Sequence, residues 1–170
     1  MIDVAVLRWE GWSADIDWDA HGEAAVAAAI ARTPYAEWIA HPVVIEVAVR
    51  LTSNDEVQAL NRQYRQKDKP TNVLSFPMVQ RDLLDAVTLN SDDGEVLLGD
   101  IVLARGICAD EAEERGIALA DHAAHLIVHG CLHLLGYDHQ GDAEAEAMEQ
   151  IERVTLEALG LHDPYPVRED

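Results

Sequence analysis

Three histidines set the chemistry that this chain can offer. They lie in the run His125-Leu-Ile-Val-His129-Gly-Cys-Leu-His133-Leu-Leu-Gly136-Tyr137-Asp138-His139. The run is apolar between its histidines, so it reads as a buried helix. His129 and His133 are four residues apart, which puts both imidazoles on one face of that helix. Gly136 supplies the left-handed residue that commonly ends a helix, and the turn behind it brings His139 round to the same face. Three imidazoles converging on one point, with a fourth position open, are the protein half of a catalytic zinc site. A single histidine in such a run is more often a hydrogen-bonded core residue. Three at H-x3-H-x5-H spacing are hard to explain that way.

Other residues in the run offer alternatives. His125 and His129 repeat the four-residue spacing, but that pair has no third ligand at the helix end. His122 and His125 are therefore read as helix-surface residues or as supports behind the ligands. Cys131, two residues after His129, faces away from the ligands and reads as core.

The spacing is close to the metzincin peptidase signature H-E-x-x-H-x-x-G-x-x-H, with one change. Gly130 stands where that signature has its glutamate general base. Without the carboxylate, peptide hydrolysis lacks the group that takes a proton from water on the metal. The ligand pattern is kept while the peptidase chemistry is not supported.

The rest of the chain must position this run. Residues 2–8 and 43–51 read as strands, the second dense in β-branched residues. An alanine-rich helix over 21–32 lies between them and stops before Pro34. Ser53 and Glu56 form a capping box that opens a helix with Val57, Leu60, Asn61 and Tyr64 on one face, ending near Arg65. Residues 73–76 make a strand between Pro70 and Pro77, and flanking prolines mark an edge strand. A turn-rich exposed connection over 80–97 leads to a strand at 97–103, then to a charged helix over 108–115 ended by Gly116. The histidine helix spans 121–135. A last helix from Asp142 to about Leu159 carries Ala145, Met148, Ile151, Val154 and Leu159 at helical spacing. The polar tail from His162 to Asp170 is expected to fray. Trp9, Trp12 and Trp18 are read as core or lid anchors. These elements predict one α/β (α+β) domain over residues 1–170, with a roughly four-stranded mixed sheet, about five helices and a zincin-like metal helix.

Composition narrows the function classes. At 49% hydrophobic residues the chain is an ordinary globular protein, and no apolar run is long enough to span a membrane. The N-terminus does not read as a secretory signal. Two cysteines, Cys108 and Cys131, make no disulfide framework and read as reduced cytoplasmic thiols. A net charge of −20 argues against a general nucleic-acid binder. The charge is uneven, however. Arg50, Arg62, Arg65, Lys67, Lys69 and Arg81 hold half of the twelve basic residues. They read either as a solvated helix end or as one wall of a local positive cleft.

Three stretches together carry a family resemblance. The first is Leu60-Asn61-x-x-Tyr64-Arg65-x-Lys67-Asp68-x-Pro70-Thr71-Asn72-Val73-Leu74-Ser75-Phe76-Pro77. The second is Leu98-Gly99-Asp100-Ile101, and the third is His129-Gly-x-Leu-His133-Leu-x-Gly136-Tyr137-Asp138-His139. In this order they resemble the YbeY family of bacterial endoribonucleases, from about residue 43 to the end of the last helix. The resemblance implies zinc-dependent, single-strand-specific RNA cleavage in the cytoplasm. It further implies maturation of the 3′ end of small-subunit (16S) rRNA and ribosome quality control. RNA and the ribosome or its small-subunit proteins are then the partners, with neither membrane nor DNA involved. By position His129, His133 and His139 match the family's ligands for one Zn2+, and Arg65 matches its essential arginine.

The residues suit those roles chemically. Arg65 offers a planar, permanently charged fork to a phosphodiester, with a structural ion pair as its plainer use. Lys67 is a second candidate substrate contact. Asp138 is a candidate general base or a support that orients a ligand. Asp100, at a strand end, is a candidate ligand support or a turn stabiliser. Asn72 is a candidate substrate contact or a turn former. Two other classes stay open: a metallopeptidase, and a non-catalytic zinc-stabilised ribosome-associated factor. A fourth protein ligand such as His125 or Cys131 would favour the last.

Overall fold

The computed structural model describes residues 1–88, 94–138 and 141–165. Four strands form one mixed sheet: β1 (Ile2–Arg8), β2 (Val44–Thr52), β3 (Val73–Pro77) and β4 (Glu95–Ala104), in the order β1-β2-β4-β3. β1 and β4 run parallel to β2, and β3 is antiparallel to β4. β3 therefore lies at an edge, as its two flanking prolines predict.

Five α-helices occur among the described residues: α1 (Trp18–Ala31), α2 (Asn54–Arg65), α3 (Arg105–Arg115), α4 (Leu119–Leu134) and α5 (Asp142–Ala158). α4 packs on β3, β4 and α1, and α5 packs on α4 and α1. The main core lies between these helices and the sheet, and includes Ile45, Val47, Ile101, Ile127 and Leu132. α2 covers the other face over β3 and β4, closing a smaller core of Val57, Leu74, Val102 and Ala104.

Several boundaries move for identifiable reasons. α1 starts at Trp18 because the Asp17 side chain accepts from Ala20 N and caps it. α3 starts at Arg105, directly after β4, because Asn54 Oδ1 accepts from Ile107 N at 3.1 Å. A neighbouring helix thus supplies a cap that α3's own sequence lacks. Trp12 and Trp18 are core residues, whereas Trp9 is exposed. Part of the connection over 80–97 is ordered by a 3-10 segment, Arg81–Ala86, with Leu84 in the main core.

The tail departs from expectation as far as Tyr165. Arg153 of α5 donates to Asp163 Oδ1 at 3.3 Å and to the Tyr165 carbonyl at 3.2 Å. Tyr165 N closes the turn on Asp163 Oδ1 at 2.7 Å. The segment is folded against α5 by one arginine, where composition suggested fraying.

Candidate active site

Each imidazole of the spaced pair is aimed by a bond on its far nitrogen. His129 Nδ1 lies 2.9 Å from Glu152 Oε1, and His133 Nδ1 lies 2.9 Å from the Tyr137 carbonyl. A carboxylate and a carbonyl only accept, so both Nδ1 atoms carry the proton. Both Nε2 atoms then present lone pairs, and they converge to 3.1 Å. Two neutral rings in that tautomer cannot hydrogen-bond to each other; a cation can satisfy both. Two nitrogens bound to one tetrahedral zinc at roughly 2.0–2.1 Å lie about 3.3–3.4 Å apart. The pair therefore fits the edge of such a site. Among the described residues no group of three His, Cys, Asp or Glu converges in this way, and His139 lies outside those residues.

Local sequence explains the two supports. Gly136 adopts φ +88°, the left-handed conformation that favours glycine. Its N–H donates to the His133 carbonyl and Tyr137 N donates to the Leu132 carbonyl, both at 3.0 Å. This is the Schellman closure of α4, and it swings the Tyr137 carbonyl under His133. Glu152 is buried in α5. Burial disfavours its charge, but hydrogen bonds from His125 and His129 outweigh that and hold its pKa at about 2.

A cavity of about 680 Å3 opens over the pair. Arg65, Asn72, His129, His133 and Asp138 all line it, so Arg65 and Asn72, distant in sequence, meet the two histidines and Asp138 there. Thr71, Tyr137 and a second arginine, Arg81, complete much of its wall. The basic cluster thus divides. Arg65 and Arg81 reach the cleft, while Arg50 pairs with Glu56 at 2.6 Å and Arg62 lies 4.0 Å from Asp68.

Other candidates sit elsewhere. Asp100 lines a separate cavity with Arg50, Tyr64 and Phe76, on the α2 side of the sheet. Its neighbour Ile101 points the opposite way, toward Gly130 on α4. Strand alternation therefore turns Asp100 away from the histidines, which corrects its reading as a ligand support. Lys67 is exposed on the loop after α2 and does not line the histidine cavity. There the chain turns at Gln66, φ +59°, and folds back so that Asn61 donates to the Lys69 carbonyl. Asn72 accepts from Val73 N at 2.7 Å and donates to Glu111 at 3.1 Å, so its amide serves the turn and α3. Tyr64, assigned to the buried face of α2, is exposed and packs edge-on to Phe76.

The other two histidines of α4 are not on the surface. His122 and His125 are buried, His122 beside Glu111 at 2.8 Å and His125 beside Glu152 at 3.1 Å. Burial lowers the pKa of His122 against the pull of Glu111. His125 uses its Nε2 on Glu152, so it does not form the alternative ligand pair with His129. Cys131 is fully buried, which pushes its thiol up to about 12. Neither is poised as a fourth ligand.

The vacancy at the general-base position also has a packing cause. A Cβ at Gly130 would lie 2.8 Å from Ile101 Cγ2. α4 sits so close to β4 that only glycine fits there, and no carboxylate can take that place.

Sequence reading missed Glu152 and the Tyr137 carbonyl, and named Arg81 only as one of six clustered cations. Only Glu152 left a signal. Met148, Glu152 and Leu156 recur at intervals of four and are all buried, whereas Val154 of the expected face is exposed.

Comparison with known proteins shows the family. The family model described as Endoribonuclease YbeY matches residues 13–160. The chain belongs to the YbeY family. A relative from Rhizorhabdus wittichii, named Endoribonuclease YbeY, is 61% identical over the full length of both chains. One of the same name from Sphingopyxis alaskensis is 58% identical over 97% of this chain and 98% of its own. The solution structure of a Thermotoga maritima protein shares the fold, with a TM-score of 0.54 at 22% identity, covering 98% of this chain and all of its own. The YbeY match extends into the first 40 residues, where no motif was diagnostic.

Proposed function

We propose that this chain is a zinc-dependent endoribonuclease that cuts single-stranded RNA in the cytoplasm. Its place of action in this reading is the 3′ end of small-subunit (16S) rRNA, on or near the ribosome. The observation that carries the reading is the facing pair of Nε2 lone pairs beneath two arginines in one open cavity.

His129 and His133 would hold the ion, with His139 as third ligand by its place in the family motif. Zinc bound by imidazoles supplies a Lewis acid that brings the acidity of a coordinated water toward neutral. The chain's own groups do the rest. Arg65 takes the non-bridging oxygens of the phosphodiester with its planar fork and stabilises the charge that grows as the bond breaks. Arg81 adds a second cation to the same cavity. Asp138, on the same wall as His133, accepts the proton from the attacking oxygen.

The acidity of the chain fits a ribosomal setting. With a net charge of −20, the surface away from the two arginines repels free RNA. A basic ribosomal protein would be drawn to that surface and would bring the substrate with it.

The test is cleavage of unstructured RNA by the purified chain, before and after chelation and zinc return. We expect cleavage to vanish with chelator and to recover with zinc, and unstructured peptide to stay intact. Cleavage that ignores the chelator would overturn the metal reading, and chelator-sensitive proteolysis would replace the nuclease.

A further inference from the structure

We propose that the C-terminal tail is a latch that positions His129 through Glu152, so that Tyr165 sets how firmly the histidine site holds its metal. The inference rests on the metal reading above, yet its geometry stands apart from it. Glu152 Oε1 accepts from both His129 Nδ1, at 2.9 Å, and His125 Nε2, at 3.1 Å. Its other oxygen, Oε2, accepts from the Tyr165 hydroxyl at 3.0 Å. The carboxylate is therefore gripped at both ends, and its rotation is fixed by a residue of the tail.

The tail is in turn held in place. Arg153, adjacent to Glu152 on α5, bonds Asp163 and the Tyr165 carbonyl, and lies 5.6 Å from the centre of the Tyr165 ring. The ring packs edge-on against His125 at 5.6 Å. Tyr165 also lines a cavity of about 280 Å3 with His129, Met148 and Glu152, so it closes the rear of the site. Without its hydroxyl Glu152 Oε2 loses its partner, and the carboxylate can turn away from His129 Nδ1. His129 then samples the tautomer whose Nε2 carries the proton and cannot bind metal. Groups that bond the far nitrogen of a ligand histidine typically govern metal affinity 10–100-fold.

The experiment uses Tyr165→Phe, which keeps the ring and removes only the hydroxyl, beside Glu152→Gln. Zinc affinity is measured by chelator competition on the full chain. The His129 tautomer is read from imidazole nitrogen NMR of the metal-free protein, and melting temperature from the same sample. Tyr165→Phe should weaken zinc binding about 10-fold and mix the His129 tautomers, with little change in metal-free melting. Glu152→Gln should do more of both. Wild-type affinity and a pure tautomer in Tyr165→Phe would overturn the latch. So would loss of affinity only in proportion to loss of fold. A wild type that took no zinc but showed a Tyr165-dependent tautomer would uphold the latch and sink the metal reading.

Discussion

The two walls of the cleft are built on opposite principles. The histidine wall comes from one face of α4 near its C-terminal end, and each ring is fixed by a second bond behind it. The arginine wall comes from element ends: Arg65 closes α2 and Arg81 opens a 3-10 segment, and both are exposed. One wall is set before anything binds; the other can adapt to its ligand. Ion binding needs fixed angles, whereas a guanidinium on a long stem can follow a phosphate as it changes shape.

That contrast can be broken most sharply at the histidine wall. His133→Ala should abolish metal retention and RNA cleavage together, and should remove the stabilisation that zinc gives to melting. Full metal content in this variant would dissolve the distinction.

Arg65→Ala should leave metal content and melting unchanged while cleavage falls roughly 100- to 1,000-fold, mainly in kcat, because the contact strengthens with the developing charge. Arg65→Lys should recover little. A destabilised but fully active Arg65→Ala would make it a structural ion pair. Arg81→Ala should cost less, about 10-fold, chiefly in KM, and a larger loss than at Arg65 would reverse their roles.

Gly130→Ala tests the rigidity of the histidine wall. The added methyl meets Ile101 at 2.8 Å, so stability should fall by about 1–3 kcal/mol. A neutral change would mean that α4 can move off β4.

The smallest effect lies at the start of α2, away from the site. The hydroxyl of Thr52, opposed by burial and then aided by Arg50, holds the Glu56 carboxyl below its ordinary 4.5. A carboxyl with a depressed folded pKa adds stability above its unfolded value. That stability is lost as pH falls through the folded one. Glu56→Gln should therefore destabilise by a few tenths of a kcal/mol at neutral pH, since the pair is well exposed. The difference should shrink below pH 4.5. Equal losses at both pH values would point to the capping geometry of the helix start instead.

What the sequence made legible follows the same division. The paired histidines and the glycine that ends α4 lie within about two helix turns of each other, and local periodicity exposes them. The edge position of β3 follows from two prolines. Asp100 was legible as a strand residue but not as to its face, because a shift of one residue reverses every side chain. Glu152 was hidden among many acids of α5; only its place between Met148 and Leu156 separates it from the solvated ones. Arg81 and Tyr165 join through tertiary packing alone, and no spacing within their own segments announces it.

The latch also bears on the order in which the site comes into being. During synthesis His129 and His133 leave the ribosome before Glu152, and Glu152 before Tyr165. Until α5 docks, the Glu152 carboxylate that accepts from His129 Nδ1 is not in place. The nascent chain thus carries its histidines for some time without a competent site. On the proposed latch, the histidine site reaches its final form only after Glu152 and Tyr165 have docked.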